Sequence, residues 1–161
     1  MTVKSTPAGY QTATPYLIIS HAAEAIEFYK TAFNASEVVR LADDTGKIAH
    51  AEIKIGTSIL MLADEFPEMG FRSPQSLGGS PVSMMVYVDD VDSQFQQAIA
   101  AGAKLIRPVE DQFFGDRTGM LSDPFGHVWT IATHIEDVPL EEIYRRFRTY
   151  LNPQPQPQSD G

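Results

Sequence analysis

Thr14-Pro15-Tyr16-Leu17-Ile18-Ile19-Ser20-His21-Ala22-Ala23-Glu24-Ala25-Ile26-Glu27-Phe28-Tyr29-Lys30-Thr31-Ala32-Phe33 is the stretch whose reading decides the fold. Its opening is a proline-led apolar run of strand length. Its remainder sets Ala25, Ile26, Tyr29 and Phe33 on one face at helical spacing, so a strand leads into an amphipathic helix. Downstream, residues 37–41, 48–55 and 58–63 read as three more strands. The turns Asp43-Asp44-Thr45-Gly46 and Gly56-Thr57 separate them. The unit is β-α-β-β-β.

The same order returns in the second half. Residues 82–88 read as a strand, and 92–101 as a helix with Phe95 and Ile99 facing inward and Gly102 as its stop. Residues 104–108, 117–121 and 128–133 read as strands, with Asp123-Pro124-Phe125-Gly126 as the hairpin turn before the last. Ile26 and Phe95, the first large apolar residues of the two helices, lie 69 positions apart, which points to an internal duplication. Each unit has one helix for one sheet face. The other face must be covered by a partner unit or line a cavity. Module one spans 12–66 and module two 80–137, within one domain of 12–137. Residues 138–151 form a third helix, with Leu140, Ile143, Tyr144 and Phe147 at helical spacing, packed on the core or on a second subunit. Residues 1–11 read as a flexible arm, and the Pro/Gln-rich stretch 152–161 as a disordered tail.

Composition bounds what such a chain does. Its 161 residues with 43% hydrophobic content suffice for a packed core. There is no cysteine, so disulfides and thiolate metal sites are excluded. A formal charge of −9 argues against nucleic acid as a partner. No signal peptide or membrane-length apolar run is expected, so membranes are not a partner and the cytoplasm is the expected compartment. Neither a phosphate-binding glycine loop nor a G-x-S-x-G elbow occurs.

The opening strand with Ala25-Ile26-Glu27-Phe28-Tyr29, and the turn Asp123-Pro124-Phe125-Gly126-His127, resemble the vicinal oxygen chelate superfamily, which includes glyoxalases, bleomycin-resistance proteins and dioxygenases. Ile48-Ala49-His50-Ala51-Glu52-Ile53 and Gly115-Asp116-Arg117 resemble its PhnB-like branch. The resemblance covers residues 14–137. It implies an α+β fold of two β-α-β-β-β modules, whose curved, mainly antiparallel sheets surround a cavity. It also implies a homodimer. Fold does not settle function, because the superfamily hosts both enzymes and drug-binding proteins.

In metal-dependent members four ligands come from the first and fourth strands of each module. The resemblance carries these positions to Thr14, Met61, Ser83 and Thr130, with the same 69-position offset within each pair. None is a normal ligand for zinc, nickel or iron, since hydroxyls bind divalent metals poorly and a thioether suits only soft ions. No metal and no cofactor are expected.

Other residues then carry the function. His50 and Glu52 share a strand face by parity and are candidates for ligand contact, for an acid/base pair, or for an exposed polar face with a plain salt link. Phe113-Phe114-Gly115-Asp116-Arg117 suits a loop closing over a planar or anionic ligand, or an aromatic plug with Arg117 paired to Asp116 or Asp111. Tyr16, Met61 and Thr130 are wall or floor positions, and Trp129 alternates with Thr130 into the core. His50, Glu52 and Arg117 are expected to converge above Met61 and Thr130. The expected ligand-binding set is Tyr16, His50, Glu52, Met61, Phe114, Arg117 and Thr130. The function expected is binding of a small planar or hydrophobic molecule in a dimer cavity without the usual metal. The alternative is a glyoxalase-, lyase- or dioxygenase-type enzyme using His50 and Glu52 as acid and base or in a non-standard metal site.

Overall fold

The computed structural model describes residues 2–153. The expected tail therefore lies almost wholly outside the described residues. Module one contains β1 (Tyr16–Ile19), α1 (Ala22–Phe33), β2 (Ser36–Ala42), β3 (Ile48–Ile55) and β4 (Ser58–Asp64). A linker with a 3-10 turn at Pro67–Met69 and a short α2 (Pro74–Leu77) follows. Module two contains β5 (Ser83–Tyr87), α3 (Val91–Ala101), β6 (Lys104–Asp111), β7 (Asp116–Ser122) and β8 (Val128–His134). The described chain ends with α4 (Leu140–Leu151). No helix among the described residues is long and apolar enough to cross a membrane.

The sheets run β1-β4-β3-β2 and β5-β8-β7-β6 and stay open. The first and last strands of each module pair parallel, while the remaining pairs are antiparallel. Tyr16 pairs with Met61 in module one and Met85 with Thr130 in module two, so the 69-position offset holds in the ladders themselves.

Helix α1 starts where Asp64 Oδ1 accepts from the Ala22 amide and stops at Asn34, whose left-handed backbone (φ 55°) caps it. Its expected face is buried: Ala25, Ile26, Tyr29 and Phe33 pack on Leu17, Ile19, Ala51, Ile53 and Leu62. Helix α3 starts at Asp90, which accepts from the Ser93 amide, and stops at Gly102. Phe95 and Ala98 are buried, but Ile99 is 36% exposed, so the inward face of α3 is narrower than its apolar spacing suggests. β6 continues past Pro108 to Asp111. It pairs only with β7, and an edge strand tolerates a missing amide donor.

The modules join through their helices. Gln94 Nε2 donates to the Ala32 carbonyl, and Gln97 Nε2 donates to the Thr31 carbonyl and Asn34. The buried Asp123 carboxylate completes the junction. It accepts from the hydroxyl of Tyr29 in module one at 2.7 Å and from Trp129 Nε1 at 2.9 Å. It also accepts from the Phe125 and His127 amides of its own turn. Burial and the Asp123 charge hold the Tyr29 hydroxyl well above the usual tyrosine range. Trp129 is fully buried beside Phe33 and Tyr29, as strand parity predicts.

No residue of α4 is buried. Two rings of its aromatic stripe, Phe147 and Tyr150, contact Phe113 of module two. Gly115 sets where the strap before α4 crosses. Its carbonyl accepts from the amides of Ile135 and Glu136, and a Cβ there would lie 2.1 Å from the Glu136 carbonyl oxygen.

Candidate functional site

β3 turns Ala51, Ile53 and Ile55 under α1, which leaves His50 and Glu52 on the opposite face. The ladder places Tyr16, Met61 and Glu52 in one row across β1, β4 and β3. Four residues nominated from sequence therefore share one face. Three of them are joined directly. His50 Nε2 meets Glu52 Oε1 at 3.0 Å, and His50 Nδ1 meets the Tyr16 hydroxyl at 2.8 Å.

A fourth member comes from the stretch read as a loose arm. The Tyr10 hydroxyl donates to Glu52 Oε2. Gln11 beside it is tied to β4, donating to the Ile59 carbonyl and accepting from the Ile59 amide. Tyr10 and Gln11 thus have fixed partners, and Glu52 is 7% exposed. Sequence reasoning missed Tyr10, although it is the single aromatic residue of positions 1–11. The hydrogen bonds from Tyr10 and then His50 hold the Glu52 carboxyl below the usual glutamate range. Partial burial, then the Glu52 charge, pushes Tyr16 up, so its hydroxyl keeps its proton.

Thr130 and Phe114 lie elsewhere. Together with Met85, Phe113, Thr118, Met120 and Tyr150 they line a recess of about 720 Å³ in module two. Met120 and Tyr150 are wall residues the sequence did not single out. A larger groove of about 960 Å³ beside β5 contains none of the nominated residues.

Arg117 does not join either group, which corrects the expected convergence. It pairs with Thr133, whose hydroxyl accepts from the Val91 amide at the start of α3. That is the helix face. There the Arg117 guanidinium forks onto both Asp92 oxygens and reaches Asp111, each contact at 2.8 Å.

A second polar set closes the far end of module two. Asp116 accepts from the Tyr87 hydroxyl at 2.8 Å and from His134 Nδ1 at 2.7 Å. His134 Nε2 donates to Asp137 at 2.8 Å. Asp116, then Asp137, pushes the His134 imidazole up, favouring its charged form.

The four positions that the resemblance assigns to metal ligands do not fit a metal. The Thr14 hydroxyl is engaged with the Gln11 carbonyl, and the other three positions offer a thioether and two hydroxyls. Among the described residues no three His, Asp or Glu side chains gather to hold an ion.

Comparison with known proteins agrees with this architecture. The model of the Glyoxalase/Bleomycin resistance protein/Dioxygenase superfamily matches residues 11–131. An uncharacterized Mycobacterium tuberculosis protein is 44% identical over 133 residues, 81% of this chain and 78% of the relative. The structure of an Arabidopsis thaliana gene product superposes with TM-score 0.63 at 25% identity, covering 76% of this chain and 98% of that one. A PhnB protein from Bacillus cereus superposes with TM-score 0.59 at 21% identity, covering 76% of this chain and 99% of that one, which is a likeness of fold.

Proposed function

The chain belongs to the Glyoxalase/Bleomycin resistance protein/Dioxygenase superfamily, and from that premise we propose that it binds a small planar or hydrophobic molecule without the family's metal. The recess of module two carries this reading. It is about 720 Å³, the size of a small-ligand site, and its walls combine Met85, Met120, Phe113, Phe114 and Tyr150 with the hydroxyls of Thr118 and Thr130. Methionines adapt to varied ligand shapes, and aromatic rings stack on planar ones.

A homodimer completes the site in this reading. Each sheet covers one face with its own helix and leaves the other open. A two-fold related copy would lay the His50 face of one chain over the Thr130 face of the other, covering both pairs at once. Half-exposed Tyr16 and Met85, on equivalent positions of those faces, support this. The second reading, acid/base chemistry by His50 and Glu52, is favoured by their 3.0 Å contact and by the Tyr16 hydroxyl on the other ring nitrogen.

The test is a thermal-shift titration with uncharged planar compounds such as acridine and quinoline. A compound at a hundredfold excess over its Kd adds about 2.7 kcal/mol of stability, so Tm must rise. Thr130→Trp, which fills the recess, should abolish the rise. Sedimentation should give about twice the 17.8 kDa of one chain. No shift with any planar compound at millimolar concentration overturns the binding reading. A mass of one chain at micromolar concentration overturns the shared cavity.

A further inference from the structure

The hydrogen bonds of module one form a line: Tyr10 to Glu52, Glu52 to His50, His50 to Tyr16. Donor and acceptor capacity decides what each group still offers. The Glu52 oxygens are both occupied, one by Tyr10 and one by His50. The carboxylate has no proton to give, so His50 Nε2 carries one and donates it. In the neutral ring Nδ1 is then an acceptor, and the Tyr16 hydroxyl donates to it. Both His50 nitrogens are thereby used. The Tyr16 oxygen keeps its lone pairs free, and Tyr16 is 47% exposed on the open face.

We propose that Tyr16 is the ligand-facing end of a proton relay, and that the site takes a neutral, weakly acidic hydroxyl compound of the phenol or enol class and binds it as its anion. This deepens the binding reading above and rests on it. The ligand O–H donates to the Tyr16 oxygen. The ligand proton passes to that oxygen as the Tyr16 proton passes to His50 Nδ1. The ligand oxygen keeps the electron pair of the broken bond and accepts a hydrogen bond from the renewed Tyr16 hydroxyl. The imidazolium lies against Glu52, which compensates its charge. One proton has moved, total charge is unchanged, and no co-reactant is needed.

The line also says which ligands do not belong. A ligand that arrives as an anion finds the Glu52 carboxylate, while Arg117 is held by Asp92 and Asp111 on the helix face. Lys54, two residues beyond Glu52 on the same strand, is exposed and is the cation nearest in sequence on that face. A compound that merely accepts hydrogen bonds must compete with His50 for the one Tyr16 proton. A neutral donor meets a free acceptor with a base behind it.

4-Nitrophenol tests this, because its neutral and anionic forms differ in colour. It is mixed with excess full-length protein at a mildly acidic pH where the free compound is mostly neutral. The wild-type protein should raise the yellow anion band and Tm together. Tyr16→Phe, which keeps the ring, and His50→Gln should each lower the bound anion by about tenfold or more, the worth of one charge-assisted hydrogen bond. His134→Gln should behave as wild type. Circular dichroism matching wild type shows that each variant is folded. Binding without the anion band, or an unchanged band in Tyr16→Phe, overturns the relay and leaves the binding reading standing. Absence of 4-nitrophenol binding, with acridine still bound, overturns the ligand class alone. Loss of both belongs to the binding reading itself.

Discussion

Both modules set a tyrosine, a carboxylate and a histidine on the sheet face away from the helix, and they join them in different orders. In module one the imidazole lies between the Tyr16 hydroxyl and the Glu52 carboxylate. In module two the Asp116 carboxylate lies between the Tyr87 hydroxyl and the His134 imidazole. A central imidazole accepts on one side and donates on the other, so it links its neighbours. A central carboxylate only accepts, so it pins both neighbours and passes nothing between them. The residue types are shared, and the order of connection separates a relay from a clamp.

The largest expected effect tests whether the modules can be compared as separate halves at all. Asp123→Ala leaves the Tyr29 hydroxyl and the Trp129 indole N–H buried without their acceptor. Stability by urea denaturation should fall by about 3–4 kcal/mol in one transition. Two separate transitions would show that the modules unfold as independent halves once this acid is gone. Gly115→Ala acts on module two alone. The position has φ +101°, and the added Cβ meets the Glu136 carbonyl. Strain at such a backbone costs about 1–3 kcal/mol, read as a lower urea midpoint, while the Tyr16–His50–Glu52 line stays intact.

The smallest effects are opposite in sign along the pH axis. The Glu52 carboxyl is lowered in the fold from its usual 4.5, so its stabilisation is present above that value and is lost as pH falls through the folded value. The His134 imidazole is raised from 6.5, so its stabilisation is full below that value and is lost as pH rises through the folded value. Tyr10→Phe should therefore flatten the acid limb of a Tm-against-pH curve, and His134→Gln the limb above neutrality. The same limb flattened by both substitutions would contradict the separate assignments.

Much of this was legible in the sequence, because periodicity follows from backbone geometry. The spacing of Ala25, Ile26, Tyr29 and Phe33 gives the buried face of α1, and parity along β3 gives the shared face of His50 and Glu52. The 69-position offset reappears as ladder register. Arg117 is a place where the same rule was available but unused. It stands four residues before the buried Leu121 on β7, and even spacing along a strand puts both on the helix face. Tyr10 and the order of the two polar sets were not legible. They depend on where an irregular segment lies and on which side-chain atoms meet across strands, and neither leaves a period in the chain.

The buried acid at the module junction reaches across unusual lengths of chain. Tyr29 and Asp123 are 94 positions apart, and His127 Nε2 meets the Ile18 carbonyl across 109. A two-part molecule usually offers evolution and proteases a place to separate the parts. Here a cut in the linker between β4 and β5 would sever none of these contacts, since none of them runs through the linker. Each half keeps one part of the lock: the hydroxyl in one, the carboxylate in the other.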